Sequence, residues 1–288
     1  NGLVQGSSLD RYNTRFKTDL QLNSRIKLSG NVSYSQQLFH EPISNIHALD
    51  FAQLVGTLNQ TGRVVPNMIN GYYGYSDEGN PVAVLKSGSN NFNKTHHLSA
   101  IFQADIELLK GLHLKPLLGY TATIVEAKSR VNDLQYYDPT TGDPSLWEGP
   151  NIVAANTAMT DNLTMQAVLQ YDKSLGDHDF TVLAGYSQEH NKYDYLFGSR
   201  RGYLNNALDQ LDAGPIAALQ NSGNSEEYAL ESVFGRINYS FRKKYLVEGT
   251  IRDDGSSRFA PANRWAIFPS ASVGWRISEE PFFERLKS

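Results

Sequence analysis

From Phe102 to Leu108 every second side chain is apolar, and the residues between them, Gln103, Asp105 and Glu107, carry groups that hydrocarbon does not tolerate. A β-strand sends successive side chains to opposite faces, so this pattern demands one apolar and one wet side. One such segment says little, but about nine recur along the chain. Apolar sets fall at Tyr12, Phe16, Leu20 and Leu22, at Ile26, Leu28, Val32 and Tyr34, and at Leu112, Leu114, Leu118, Tyr120 and Ile124. Others run through Leu163–Tyr171, Phe180–Tyr186, Val233–Phe241, Tyr245–Ile251 and Trp265–Ile277. The series predicts an all-β chain: an antiparallel up-and-down transmembrane β-barrel segment of about nine strands.

Connection lengths sort in the way a membrane would sort them. Short turns are expected at Asn23-Ser24, Lys110-Gly111, Ser174–Asp177 and Lys243-Lys244. Long loops are expected over 40–94, 129–160 and 197–227, with a shorter one over 254–263. In up-and-down order all the short turns fall at one rim and all the long loops at the other, the layout of short periplasmic turns and long extracellular loops. Tyr171, Tyr245 and Trp265 near strand ends suit interfacial girdles, although aromatic β-propensity accounts for them as well. The faces are also specified. Phe102, Ala104, Ile106, Leu169, Val182, Ile237, Val247 and Val273 should lie outside, opposite Gln103, Asp105, Gln170, Arg236 and Glu248.

Composition narrows the function classes. With 26 basic and 30 acidic residues scattered along 288, and a net charge of −4, there is no basic stripe for nucleic acid. Cysteine is absent, which removes disulfides, thiolate metal sites and cysteine nucleophiles. The start at Asn1–Gln5 lacks a leader pattern, so the chain reads as a mature protein or, better, as a piece of something longer. Asp253-Asp254-Gly255-Ser256 lacks the alternating ligands and closing glutamate of a calcium loop; it reads as a tight external turn, with Gly255 supplying unusual dihedrals and Arg258 pairing with a local carboxylate. His96 and His97 fall on opposite strand faces, and Glu279-Glu280 beside Pro281 reads as helix-start acids. No enzyme motif, metal site or cofactor is expected.

The last fifty residues carry a resemblance. Phe234–Ser240, Tyr245–Arg252, then Asp254, Gly255, Ser256, Ser257, Arg258 and Phe259, followed by Arg264, Trp265, Pro269, Ser270, Gly274, Trp275 and Arg276 within Asn263–Glu280, resemble the SusC/RagA-type TonB-dependent transporters of Bacteroidetes outer membranes. Upstream, Asn80-Pro81 and Lys110-Gly111-Leu112 are similar in layout; Ala260 departs from the more frequent Gly. The resemblance implies that residues 1–288 are part of a barrel of about 22 strands, the plug and remaining strands lying elsewhere, in the outer membrane of a Gram-negative bacterium. It implies import of glycan fragments, or peptides, with a SusD-like lipoprotein as lid and with TonB engaged through an N-terminal region outside this chain.

Loop aromatics Tyr72, Tyr73, Tyr75, Tyr136, Tyr137 and Trp147 are candidates for stacking on sugar rings or packing against the partner. A second reading, a soluble β-rich module that binds polysaccharide, differs in one respect: it would need no detergent.

Overall fold

The computed structural model describes residues 5–43, 56, 68–69, 71–75 and 80–284. Strands run β1 (Ser8–Asn23), β2 (Ile26–Pro42), β3 (Met68–Ile69) and β4 (Tyr72–Gly74), then helix α1 (Pro81–Lys86). They continue as β5 (Asn90–Leu109), β6 (Leu112–Val131), β7 (Leu134–Tyr137), β8 (Pro144–Glu148), β9 (Ile152–Leu175) and β10 (His178–Arg201). Last come β11 (Gln220–Phe241), β12 (Tyr245–Ser256), β13 (Trp265–Trp275) and the short helix α2 (Pro281–Glu284). Nine strands form one antiparallel sheet in the order β1-β2-β5-β6-β9-β10-β11-β12-β13; β3, β4, β7 and β8 form a separate small sheet. The large sheet is therefore the expected up-and-down meander.

Register places the two expected sets on opposite faces. Ile106 pairs with Leu114, Leu114 with Leu169 and Leu169 with Ala184; Val182 pairs with Ile237 and Val247 with Val273. The polar set follows its own rows, His113 with Gln170 and Asn238 with Glu248. Along β9, Met165, Ala167, Leu169 and Tyr171 are exposed while Gln166, Gln170 and Asp172 are half-buried. That inverts a water-soluble strand and marks the apolar face as the convex one. Among the described residues the long strands pack chiefly on their hydrogen-bonded neighbours, β9 and β10 also meeting the short helical turns at 211–213 and 216–218, and no second sheet covers the apolar face as a sandwich would require.

Three of the four turns at one rim are two-residue hairpin loops, Ser24-Arg25, Lys110-Gly111 and Gly176-Asp177, and the fourth has three residues, Arg242-Lys243-Lys244. The first sits one residue away from the expected position, and the fourth adds Arg242 to the expected pair. In the fourth, Lys244 N–H donates to the Phe241 carbonyl at 2.9 Å, and Arg242 and Lys243 take left-handed φ values of 51° and 57°. The other rim departs more from expectation. Strands β6, β9, β10 and β11 reach far into the stretches read as loops, leaving connections of only 132–151 and 202–219, and 43–89 before β5. The interior of that first loop, including Asn70, lies largely outside the described residues, as do Asn1–Val4. Asp254–Ser256 is not a turn: it is the end of β12, with Gly255 opposite Trp265.

Candidate functional site

The outward face is built as a belt. Apolar outward positions span Leu98–Leu108 on β5, Leu163–Tyr171 on β9, Val233–Phe241 on β11 and Trp265–Trp275 on β13, 9 to 11 residues each. A tilted barrel strand needs about that many to cross hydrocarbon. At the short-turn rim the belt ends in packed rings: Phe180 and Tyr239 centroids are 5.0 Å apart, His178 and Phe241 5.0 Å, Phe241 and Tyr245 6.3 Å. Such amphipathic rings sit at headgroup level. At the other boundary the outward residue turns polar on successive strands, at His96, Glu126, Asp161, Gln188, Glu231 and Asp253. Beyond it the outward face carries ion pairs, Lys192–Asp194 at 2.7 Å and Lys94–Glu126 at 3.7 Å, and His190 lies 3.8 Å from Glu227. There β10 continues from Gln188 to Arg201, about 45 Å along the strand.

The inward face is a polar wall. Asp105 stands between His113 Nδ1 at 2.6 Å and Lys115 at 3.9 Å; Lys115 also donates to Gln170 at 2.9 Å, and Gln170 to Asp172 at 2.6 Å. Farther round, Arg236 lies 3.9 Å from Glu248 and donates to Thr250 at 3.2 Å. Each of these ions is met by an opposite charge or an amide, which suits a wet lumen and would be ruinous against lipid.

The long loops join into one cap. Strand β4 pairs in parallel with β7, bringing Tyr73 beside Tyr136, so the first two loops share the small sheet. Tyr72 packs on Tyr137 with centroids 4.3 Å apart, and Tyr75 meets Tyr136 edge-on at 6.3 Å. Tyr136 is buried and donates to Glu148 at 2.9 Å; burial, with the neighbouring carboxylate adding to it, pushes its phenol far above the usual range. Five of the six candidate aromatics thus lie in one cluster, and Tyr136 is its core rather than a contact surface. Tyr72 and Trp147 are more than half exposed.

Helix α1 is capped by buried Asn80, whose Oδ1 accepts from Val82 and Ala83 N–H and whose amide donates to the Gly74 carbonyl at 2.9 Å. Buried Asn132 takes Ser89 Oγ with its N–H and donates to Ser87 O at 2.7 Å. The third loop is fastened by Asn206, which bonds the Asp133 backbone in both directions and accepts from Asn151 at 3.0 Å, and by Lys128 on Asp209 at 3.2 Å. That bond from Lys128 holds the Asp209 carboxyl below its usual range. Neither the ties of Asn132 and Asn206 nor the small sheet had a signal in sequence, since they join segments far apart along the chain.

No family model matches the chain. Its sequence is 28% identical over 98% of its length to TonB-dependent receptor P3 of Formosa agariphila, of which that match covers 28%. It is 32% identical over 71% of its length to TonB-dependent receptor SusC of Bacteroides thetaiotaomicron, covering 19% of that protein. Its fold superposes on the RagAB peptide transporter with a TM-score of 0.74 over 96% of the chain and 31% of that chain, at 21% identity. The chain is barrel wall of the SusC/RagA type of TonB-dependent receptor.

It spans roughly a fifth to a third of these relatives' length, and its place is the outer membrane of a Gram-negative bacterium. Within the receptor wall, the motif residues of the last fifty hold the β12–β13 connection and its neighbours. Arg252 donates to Ser232 at 2.7 Å and to Asp254. Gly255 is needed for space, not dihedrals: a Cβ there would stand 2.8 Å from the Trp265 ring. Among the described residues Arg258 finds no carboxylate; its guanidinium lies 4.1 Å over the Tyr228 ring, while Ser257 exchanges bonds with the Ala229 backbone. Asp253 and Asp254 are consecutive strand residues on opposite faces and cannot hold one ion together. At the short-turn rim Glu280 accepts from Tyr245 Oη at 2.6 Å and Trp275 Nε1 at 3.1 Å, with Lys244 at 3.6 Å. These donors, Tyr245 first, hold its carboxyl below the usual range.

Proposed function

We propose that the protein containing this wall imports a bulky nutrient across the outer membrane, driven by TonB through a region outside this chain and lidded by a SusD-like lipoprotein. The observation that carries the reading is the division of one sheet into a lipid belt and a charge-balanced wet wall, topped by a cap of fastened loops rather than loose ones. Glycan fragments are the favoured cargo and peptides the second. Support for glycans comes from the SusC relative and from exposed Tyr72 and Trp147 on the cap, flat faces on which sugar rings stack; support for peptides is the fold shared with the RagAB peptide transporter. The chain serves as wall and cap, not as a catalyst. Uptake of labelled maltohexaose or hexaalanine by cells carrying the full-length receptor should vanish without TonB and fall sharply without the lipoprotein. Uptake indifferent to both would remove the transport reading.

A further inference from the structure

The two boundaries of the belt treat their outward charges differently. At the extracellular boundary the charges answer one another: Lys94 lies 3.7 Å from Glu126, and Lys192 lies 2.7 Å from Asp194. At the periplasmic boundary only part of the charge is answered. Arg242 is matched by Asp177 at 2.7 Å and Lys244 by Glu280 at 3.6 Å, but among the described residues Lys110, Lys173 and Lys243 have no carboxylate within ion-pair distance. All three are exposed. Lys173 continues the outward row of β9 one step past Tyr171, where it pairs across the ladder with Phe180. Asp172 N–H donates to the Gly111 carbonyl at 2.8 Å, and this bond seats the turn that carries Lys110 beside the end of β9. Neither β5, β6 nor β9 is an edge of the sheet, so the strands on both sides are described and supply these two lysines with no carboxylate.

We propose that Lys110 and Lys173 clamp the headgroup of a net-anionic glycerophospholipid in the periplasmic leaflet. The proposal rests on the membrane assignment and not on import. Both ammonium groups stand where the apolar belt ends, which is the level of the lipid phosphates, and a lysine stem can run past the last ring to reach that level. Like charges on neighbouring strands repel, and one shared phosphodiester relieves this while supplying the countercharge that the wall omits. The Tyr171 and Phe180 rings beside the clamp take the glycerol and the first acyl carbons, as interfacial aromatics do. A zwitterionic lipid brings its own cation to the same place and gains less. A soluble phosphate shares the anion but leaves the rings uncovered.

Full-length receptor in detergent would be followed by native mass spectrometry with dioleoylphosphatidylglycerol, dioleoylphosphatidylcholine or glycerol 3-phosphate added at equal concentrations. Phosphatidylglycerol should be retained in preference to the other two. Lys110→Gln and Lys173→Gln should each weaken retention of one such molecule about fivefold, and together about 25-fold, whereas Lys192→Gln at the opposite boundary leaves it unchanged. Both lysines are exposed, so the single substitutions spare the folded barrel, which its resistance to SDS without heating verifies. Equal retention of the two lipids, or a count of retained phosphatidylglycerol unmoved by the double substitution, overturns the clamp. Glycerol 3-phosphate held as tightly as the lipid overturns it too, since the lysines would then form a site for soluble anions.

Discussion

Single residues decide whether the wall can close at its periplasmic rim. Gly111 sits at φ +80°, and a Cβ on it would lie 2.5 Å from the Asp172 carbonyl oxygen, which belongs to the neighbouring strand. Gly111→Ala should therefore destabilise the folded barrel by at least about 1–2 kcal/mol in urea unfolding from lipid vesicles; an unchanged midpoint would show that the turn has another conformation. Glu280 makes this rim pH-dependent. Its carboxyl is held below its usual range by Tyr245 and Trp275, so the folded state binds fewer protons than the unfolded one. The stabilisation is complete above the ordinary carboxylate range and is lost as pH falls through the lowered value. Glu280→Gln should flatten part of the acid-side decline of the unfolding midpoint and leave neutral pH behaviour nearly flat. On the belt, Val247→Lys should cost about 2–4 kcal/mol and Thr250→Lys on the wet face much less; equal costs would mean the faces are wrongly assigned.

Elements show where sequence speaks and where it falls silent. Inside the hydrocarbon, every outward position must be apolar, so Phe102, Ala104 and Ile106 announce both strand and face. Above the boundary that demand stops, and β10 runs on through Lys192, Asp194 and Gly198 with water on both sides. The alternation vanishes while the strand does not, which is why 197–227 reads as loop. Turn chemistry was half legible: Lys110-Gly111 has its glycine, but Arg242-Lys243 adopts left-handed dihedrals without one, held where Arg242 donates to Asp177 at 2.7 Å. Of the candidate aromatics, composition located the cluster, yet only packing reveals that Tyr136 is its core. The cap's fastening was invisible because Asn206 acts on Asp133 and Asn151 from far along the chain. Removing it with Asn206→Ala should speed amide exchange across 202–219 about tenfold while β9 and β10 below the boundary stay protected. Equal exchange in both proteins would show that the third loop is held by other contacts.

At the scale of the molecule, one sheet serves two solvents, and everything else in the account follows from that. The belt sets the depth of the wall in the membrane, the matched charges of Asp105, Lys115, Arg236 and Glu248 keep its inner side wet, and the strand extensions lift the cap clear of the lipid. The chain itself contributes no cysteine, so in a full-length receptor cleared of any cysteine elsewhere, single cysteines placed one by one from Tyr245 to Asp254 can each carry a spin label without background. In vesicles, collision with oxygen, which concentrates in hydrocarbon, should peak at 245, 247, 249 and 251, and collision with a water-soluble nickel chelate should peak at 246, 248, 250 and 252, crossing over to the chelate on both faces from Asp253 upward. A profile without a two-residue period, or one in which the chelate reaches 247 as readily as 248, would contradict the assignment of this chain to a membrane barrel wall.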